Sequence, residues 1–375
     1  MNSMTALTSE NTQYVLTEVR GQVGFITLNR PKALNALSLP MIRTLTQCLL
    51  AWRDDDQIET VAIRGSNKDG PFGAFCAGGD IRFFHQAALA GNTELEDFFT
   101  EEYILNHLIH SYPKPYIAFM DGIVMGGGMG ISQGATLRIV TERTRMAMPE
   151  TSIGLFPDVG GGYFLSRCAG RVGEWLALTG EALGAGEALA LGLADTCLDV
   201  TQLASAWDAL AKTDFAEDGA IDRWLAIYSI GSPASSRLAT VEIDRYFSLE
   251  SVSAIVRALE TGGDEWAQQT ATTLRQRSPL MLHVVLEQIR RGRTMALADD
   301  LRMERDLVRH CFAPQHLGRS ASQSETVEGI RALAIDKDKQ PHWNPARIED
   351  VTPEMVTPFF VSPWTDQTHP LRQLS

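Results

Sequence analysis

Residues Val61 to Ile81 read VAIRGSNKDGPFGAFCAGGDI. VAIRGS has the apolar, β-branched character of a strand, and the glycine- and proline-rich run from Ser66 to Asp80 cannot prolong it. The chain then enters a helix at Ile81. A strand, a loop rich in residues without a Cβ and a helix start together make a place where backbone can approach a small molecule closely.

On the N-terminal side, YVLTEVRGQVGFITLN from Tyr14 to Asn29 holds two β-type runs parted by Arg20-Gly21-Gln22. This predicts a hairpin, and a helix is predicted from Leu39 to Asp54. On the C-terminal side, Leu95, Phe98, Phe99, Leu105, Leu108 and Ile109 recur at helical spacing between Glu94 and Ser111, and Pro113 and Pro115 end that helix. YIAFMDG from Tyr116 is a short apolar strand, Gly126-Gly127-Gly128 leads into another apolar helix, and ATLRIVTE and RMAMP are further strands. This rhythm of strand, strand and helix predicts an α/β architecture wound in successive turns.

Past Leu198 the β-type runs nearly vanish, and Thr201 to Phe312 predicts several helices. The best marked begins at Ser278-Pro279, an N-cap followed by a first-turn proline. Leu280, Val284 and Val285 give it an apolar face, and Arg290-Arg291 suit the negative end of its dipole. From Ala334 the tail carries DKDKQPHWNP, whose prolines and charges predict a turn-rich segment packed through Trp343.

With 375 residues and 44% hydrophobic content, the chain is long enough for one large domain or two ordinary ones. A formal charge of -13 without a basic stripe speaks against a nucleic-acid surface. No apolar run reaches membrane-spanning length, and the opening MNSMTALTSENTQYV lacks the basic start and apolar core of a secretory signal. No membrane attachment is expected, and a cytoplasmic location is. Cys48, Cys76, Cys168, Cys197 and Cys311 are scattered, odd in number and form no CxxC pair, as expected of reduced thiols without zinc.

Three glycine-bearing segments stand out. They are Phe75-Cys76-Ala77-Gly78-Gly79-Asp80-Ile81, then Met125-Gly126-Gly127-Gly128-Met129-Gly130, then Met148-Pro149-Glu150 running on to Phe156-Pro157-Asp158-Val159-Gly160-Gly161-Gly162. Any one of them alone also fits a tight turn. Their spacing matches neither the GxGxxG fingerprint nor the P-loop, so the dinucleotide and P-loop readings fail, and the missing GxSxG elbow weakens a serine-hydrolase reading. HExxH is absent, and His107 and His110 suit a helix surface better than a metal site, so no metal is expected.

In this order, and together with NRPKALNAL from Asn29, the segments resemble the crotonase superfamily, whose members bind acyl-CoA thioesters and stabilise the oxyanion formed at the thioester carbonyl. Glu101-Glu102-Tyr103, the helices from Arg277 to Phe312 and AIDKDKQPHWNPA resemble its 3-hydroxyisobutyryl-CoA hydrolase branch, so the likeness covers nearly the whole chain. The resemblance implies an α/β fold: a crotonase-type ββα spiral core over residues 13–200, then a mainly helical C-terminal region over 201–375 that completes the acyl-CoA site. It implies hydrolysis of an acyl-CoA thioester, 3-hydroxyisobutyryl-CoA first, in valine catabolism. CoA enters as part of the substrate with no other cofactor, and a homo-oligomer is compatible. An enoyl-CoA hydratase or isomerase, and a non-catalytic acyl-CoA binder, share the fold and stay open.

By the same resemblance Gly79 and Gly127 supply the oxyanion N–H donors, Gly127 from near a helix start. Glu150 is the catalytic carboxylate, as nucleophile or as general base, and Asp158 is a second acid lining the acyl pocket. Glu102 corresponds to a substrate-contacting glutamate, although on a helix that also carries Glu101 it fits a plain surface charge nearly as well. Lys32, Ala33, Ala36 and Leu37, with Ala77, Gly78 and Asp80, fall in segments that wrap CoA in the family. Lys32 and Arg82 are candidate phosphate contacts and equally fit exposed solubilising charge. Where hydratases carry a glutamate two residues after the glycine run, this chain has Gly130, and Asp158 stands where they tend to have glycine. The pattern implies a poor hydratase.

Overall fold

A computed structural model describes residues 13–215, 217–231 and 240–375. Most of the opening segment read for a secretory signal lies outside them. The chain forms two compact units, each gathered from three stretches. The first takes Met1–Gly79, Leu105–Met146 and Leu183–Ser236, and the second takes Asp80–Ile104, Ala147–Ala182 and Arg237–Ser375.

The strands are β1 (Val15–Arg20), β2 (Val23–Leu28), β3 (Thr60–Asn67), β4 (Gly70–Pro71), β5 (Tyr116–Met120), β6 (Ile123–Met125), β7 (Leu137–Val140), β8 (Arg145–Ala147) and β9 (Thr196–Cys197). In the first unit they form a sheet of order β1-β2-β3-β5-β7-β9, with β4 paired to the end of β3 and a separate β6-β8 pair. β1 and β2 are the expected antiparallel hairpin, turning through Gly21 at φ +60°, and every later neighbour along the main order is parallel. Parallel pairing requires crossovers, and the helix Leu39–Arg53 supplies the one from β2 to β3. The successive turns predicted from the sequence are therefore present.

β5, YIAFM, is buried at every position, as a parallel strand covered on both faces must be. β1 exposes Leu16 and Val19 at the sheet edge, where the paired charges of Glu18 and Arg20 discourage further strand addition. Gly24 lets the Leu39–Arg53 helix settle on β2, because an added Cβ would stand 2.4 Å from the Trp52 ring. Against the sheet, the Trp207 ring packs 4.8 Å from Phe25 and 5.2 Å from Phe119, and Trp224 lies 6.1 Å from Phe119. The helices Leu203–Leu210 and Ala220–Tyr228 that carry these tryptophans belong to the first unit, so the helical region predicted after Leu198 begins inside the sheet-bearing body.

The second unit is helical in nearly all its regular described elements. Ser278 caps the helix Pro279–Gly292 by accepting from Met281 N at 3.3 Å, and Leu280, Val284 and Val285 are buried as predicted. Trp343 is half-buried in the turn-rich tail. Among the described residues no helix is long and apolar enough to cross a membrane.

One side chain organises the loop before the first glycine pair. Asn35, fully buried, donates through Nδ2 to Ser66 O (2.8 Å), Ala74 O (2.9 Å) and Phe75 O (3.1 Å), and its Oδ1 accepts from Arg30 N (2.9 Å). It sits at φ +58°, a left-handed backbone that asparagine tolerates better than most residues. NRPKALNAL is thereby tied to the end of β3 and to the loop leading to Gly78. Asn35→Ala strips buried carbonyls of their donor and is expected to destabilise the protein by about 2 to 4 kcal/mol in urea unfolding. A loss within about 0.5 kcal/mol would show that the loop holds itself.

Candidate active site

In the first unit, Leu37 N donates to Gly78 O at 2.7 Å and Ala77 N to Leu34 O at 3.0 Å, so the two segments run alongside like short parallel strands. On the other side of FCAGG, Cys76 N donates to Ile123 O at 3.0 Å and Met125 N to Cys76 O at 3.0 Å. The segment is thus held between Leu34–Leu37 and the approach to the glycine run. Glycine is required at these contacts. A Cβ on Gly128 would stand 2.3 Å from Cys76 O, and Gly78, at φ +96°, would place one 3.4 Å from Gly127 N.

Gly78, next to Gly79, therefore lies against the start of the helix at Gly127. Among the described residues neither the Gly79 nor the Gly127 N–H donates a hydrogen bond. Gly127 is the first residue of the helix Gly127–Gln133, where amides have no partner within the helix. Two open backbone donors at such a place suit an oxygen that is gaining negative charge. Of the other residues assigned to ligand binding, Lys32 is exposed, Ala33, Ala36 and Ala77 are half-buried, and Leu37 and Gly78 are buried.

Asp80 opens the second unit as the N-cap of the helix Ile81–Ala90, accepting from Arg82 N (3.2 Å) and Phe83 N (3.3 Å). Its carboxylate serves the helix start, and Arg82 is exposed. This unit also gathers three acids. Glu102 lies on the helix Glu94–His110, Glu150 opens the 3-10 turn Glu150–Ile153, and Asp158 precedes the short helix Gly161–Ser166. They are 2%, 7% and 6% exposed, which removes the surface-charge reading of Glu102.

Tyr103 Oη donates to Asp158 Oδ2 at 2.9 Å, whereas Glu102 Oε1 and Glu150 Oε2 are buried with no hydrogen-bond partner among the described residues. Burial pushes the carboxyls of Glu102 and Glu150 well above the usual range. The neighbouring charge of Asp158 pushes both further, and that of Glu150 adds to Glu102. Burial pushes Asp158 up to about 7, and the Tyr103 hydroxyl holds it back. Acids this close and this buried do not all ionise together, so the set can hold and release a proton near neutrality.

Sequence reasoning quoted Tyr103 without giving it a role and passed over Asp300 and Glu304. Glu304 Oε2 accepts from Gly160 N at 2.7 Å and its Oε1 from Gly162 N at 2.9 Å, while Asp300 Oδ2 accepts from Tyr163 N at 2.9 Å. Their four-residue spacing puts both on one face of the helix Leu297–Phe312, the one signal the sequence carried.

Tyr103→Phe removes a donor that favours ionised Asp158, so the Asp158 midpoint should move above its present value of about 7, measurable by NMR of carboxyl-labelled aspartate. An unmoved midpoint would free Asp158 from Tyr103. The stability consequence has a definite sign. The folded-state value lies above the ~3.9 of an exposed aspartate, so ionising Asp158 opposes folding increasingly as pH rises through that window, and fully above about 7. Asp158→Asn should therefore gain roughly 1 to 3 kcal/mol at pH ~8 and little at pH ~4. Equal urea midpoints for parent and variant at pH ~8 would contradict this.

The family model for enoyl-CoA hydratase/isomerase matches residues 23–360. A Danio rerio protein named 3-hydroxyisobutyryl-CoA hydrolase, mitochondrial, is 41% identical over 354 residues, covering 93% of this chain and 89% of the relative. Its namesake in Rattus norvegicus is 41% identical over 357 residues, covering 94% and 89%. The crystal structure of a carnitinyl-CoA dehydratase from Mycobacterium thermoresistibile is similar with a TM-score of 0.83 at 37% identity, covering 93% of this chain and 96% of that one. The fold is thus the crotonase type expected from the motifs. From the second strand of the hairpin to the last helical turns, the chain belongs to the enoyl-CoA hydratase/isomerase family.

Proposed function

We propose that this protein hydrolyses 3-hydroxyisobutyryl-CoA to 3-hydroxyisobutyrate and CoA. The observation that carries the reading is the buried, proton-sharing set of Glu150, Asp158 and Glu102 in the second unit. Its support among relatives is the hydrolase name borne by the Danio rerio and Rattus norvegicus proteins.

Hydrolysis forms a C–O bond, breaks the C–S bond and delivers a proton to the departing sulfur. The N–H groups of Gly79 and Gly127 form the oxyanion hole for the thioester oxygen, a contribution of several kcal/mol, roughly 3 for each donor. Glu150 is either the nucleophile, giving a mixed anhydride that water opens, or the base that activates water. Either role needs it ionised. A proton on Asp158 relieves the repulsion that opposes this, and the same proton serves the CoA thiolate as it leaves. Glu102, neutral through burial and with an unpartnered oxygen, meets the substrate hydroxyl. Lys32, Ala33, Ala36, Leu37, Ala77, Gly78 and Asp80 hold CoA, largely through backbone groups. The five free cysteines suit a reducing compartment such as the cytoplasm, and the fish and rat relatives carry mitochondrial in their names.

A second reading, hydration of an enoyl-CoA, is favoured by the dehydratase name of the Mycobacterium thermoresistibile structure. Gly130 weighs against it, because addition of water across an alkene needs two carboxylates to orient and exchange protons, and that position supplies none.

Glu150→Gln is nearly isosteric and should lower turnover at least about a hundredfold with CoA affinity kept. A variant as fast as the parent would reduce Glu150 to a structural residue. Gly127→Val should abolish turnover in a folded protein, since a side chain there displaces the donor. On one preparation, thiol release from 3-hydroxyisobutyryl-CoA should exceed crotonyl-CoA hydration by roughly a hundredfold or more. Efficient hydration without thioester cleavage would reverse the assignment.

A further inference from the structure

The loop that carries Asp158 is held from both sides by side chains far away in sequence. Before Asp158, Gln288 Nε2 donates to Pro157 O at 2.6 Å and to Glu304 Oε1 at 3.2 Å. After it, the two carboxyl oxygens of Glu304 take the amides of Gly160 and Gly162, and Asp300 takes that of Tyr163. Gln288, Asp300 and Glu304 are fully buried. Glycine makes the fit. A Cβ on Gly162 would stand 2.3 Å from Asp300 Oδ1, and one on Gly292 would stand 2.3 Å from Gly162 O.

A plain helix start does not account for this. The amides of a short helix are ordinarily met by a local serine, threonine or aspartate, at no burial penalty. Here two carboxyls are buried side by side, and burial penalises the charged form of both. Between the clasped groups, Val159 is kept at φ +56°, a left-handed conformation that β-branched residues rarely adopt and that persists only where the surroundings over-determine it. The residue whose direction is fixed by these restraints is Asp158.

We propose that Glu304, seconded by Asp300, is a positioning residue that sets the Asp158 carboxyl by clasping the backbone just after it, while Gln288 holds the carbonyl just before it. The inference rests on the hydrolase reading in which Asp158 handles a proton. The clasp itself does not depend on which substrate is turned over.

The test uses the full chain and Glu304→Gln, which keeps size but replaces one of two amide acceptors with a donor. Amide exchange in residues 157–163 should speed up at least about tenfold. The Asp158 midpoint, followed by carboxyl NMR, should move by about half a pH unit or more. Turnover of 3-hydroxyisobutyryl-CoA should fall about tenfold or more with KM held within about twofold, the mark of a misaimed proton group rather than lost binding. Unchanged exchange would remove the clasp. Faster exchange with an unmoved Asp158 midpoint and unchanged turnover would leave a clasp that positions nothing, and the proposal would fall. If Glu304→Gln does not fold, Gln288→Met, which keeps the bulk and removes the donor to Pro157 O and Glu304, takes the same three measurements. Should the parent release no CoA, the hydrolase reading falls alone, and exchange with the Asp158 midpoint still decides the positioning role.

Discussion

Burying carboxyl groups is the constraint on which the second unit depends. An ionised carboxylate taken out of water loses several kcal/mol of solvation, roughly 3 or more in a relaxed protein, and must regain it from partners or give up its charge. Glu304 and Asp300 use partners: backbone amides of Gly160, Gly162 and Tyr163 take their oxygens, although burial still pushes both acids up. Glu102 and Glu150 each have an oxygen without a hydrogen bond among the described residues and are left to share protons with Asp158. The first arrangement shapes backbone. The second stores proton affinity, which an acyl-transfer catalyst can spend on chemistry.

The first unit answers a different constraint, the close approach of backbone to backbone. Asn35 ties one carbonyl of β3 to two of the following loop, Gly128 admits Cys76 O, and Gly78 comes up against Gly127 N. These contacts are fixed by backbone and by one buried amide, so the FCAGG segment and the helix start at Gly127 are held by the protein itself. Preorganisation of that kind is what makes backbone donors effective toward an oxygen that gains charge only during reaction.

The division of chemistry follows from what each unit can hold. A sheet with parallel strands and glycine-lined crossovers offers donors but few buried acids. Helices offer side chains at fixed spacings, so Tyr103 from one helix, and Asp300 four residues from Glu304 on another, reach the same loop.

Much of this was legible in the residues. Hairpin, crossover helix, buried β5 and the Ser278-capped helix follow from local periodicity and capping chemistry, which depend on neighbours a few residues apart. Gly79, Gly127, Glu150 and Asp158 were marked by the resemblance of their segments to a known family, since each segment alone also fits a turn. Left undecided were the burial of Glu102, the hold of Tyr103 on Asp158 and the clasp of Glu304 on Gly160, 144 residues away. Local pattern by itself determined the elements, and the order of the motifs, through the family they resemble, pointed to the kind of chemistry. Only the tertiary structure decided which acids are buried, which share protons and what aims them, because desolvation and hydrogen bonding belong to the packed neighbourhood of a group and not to its place in the chain.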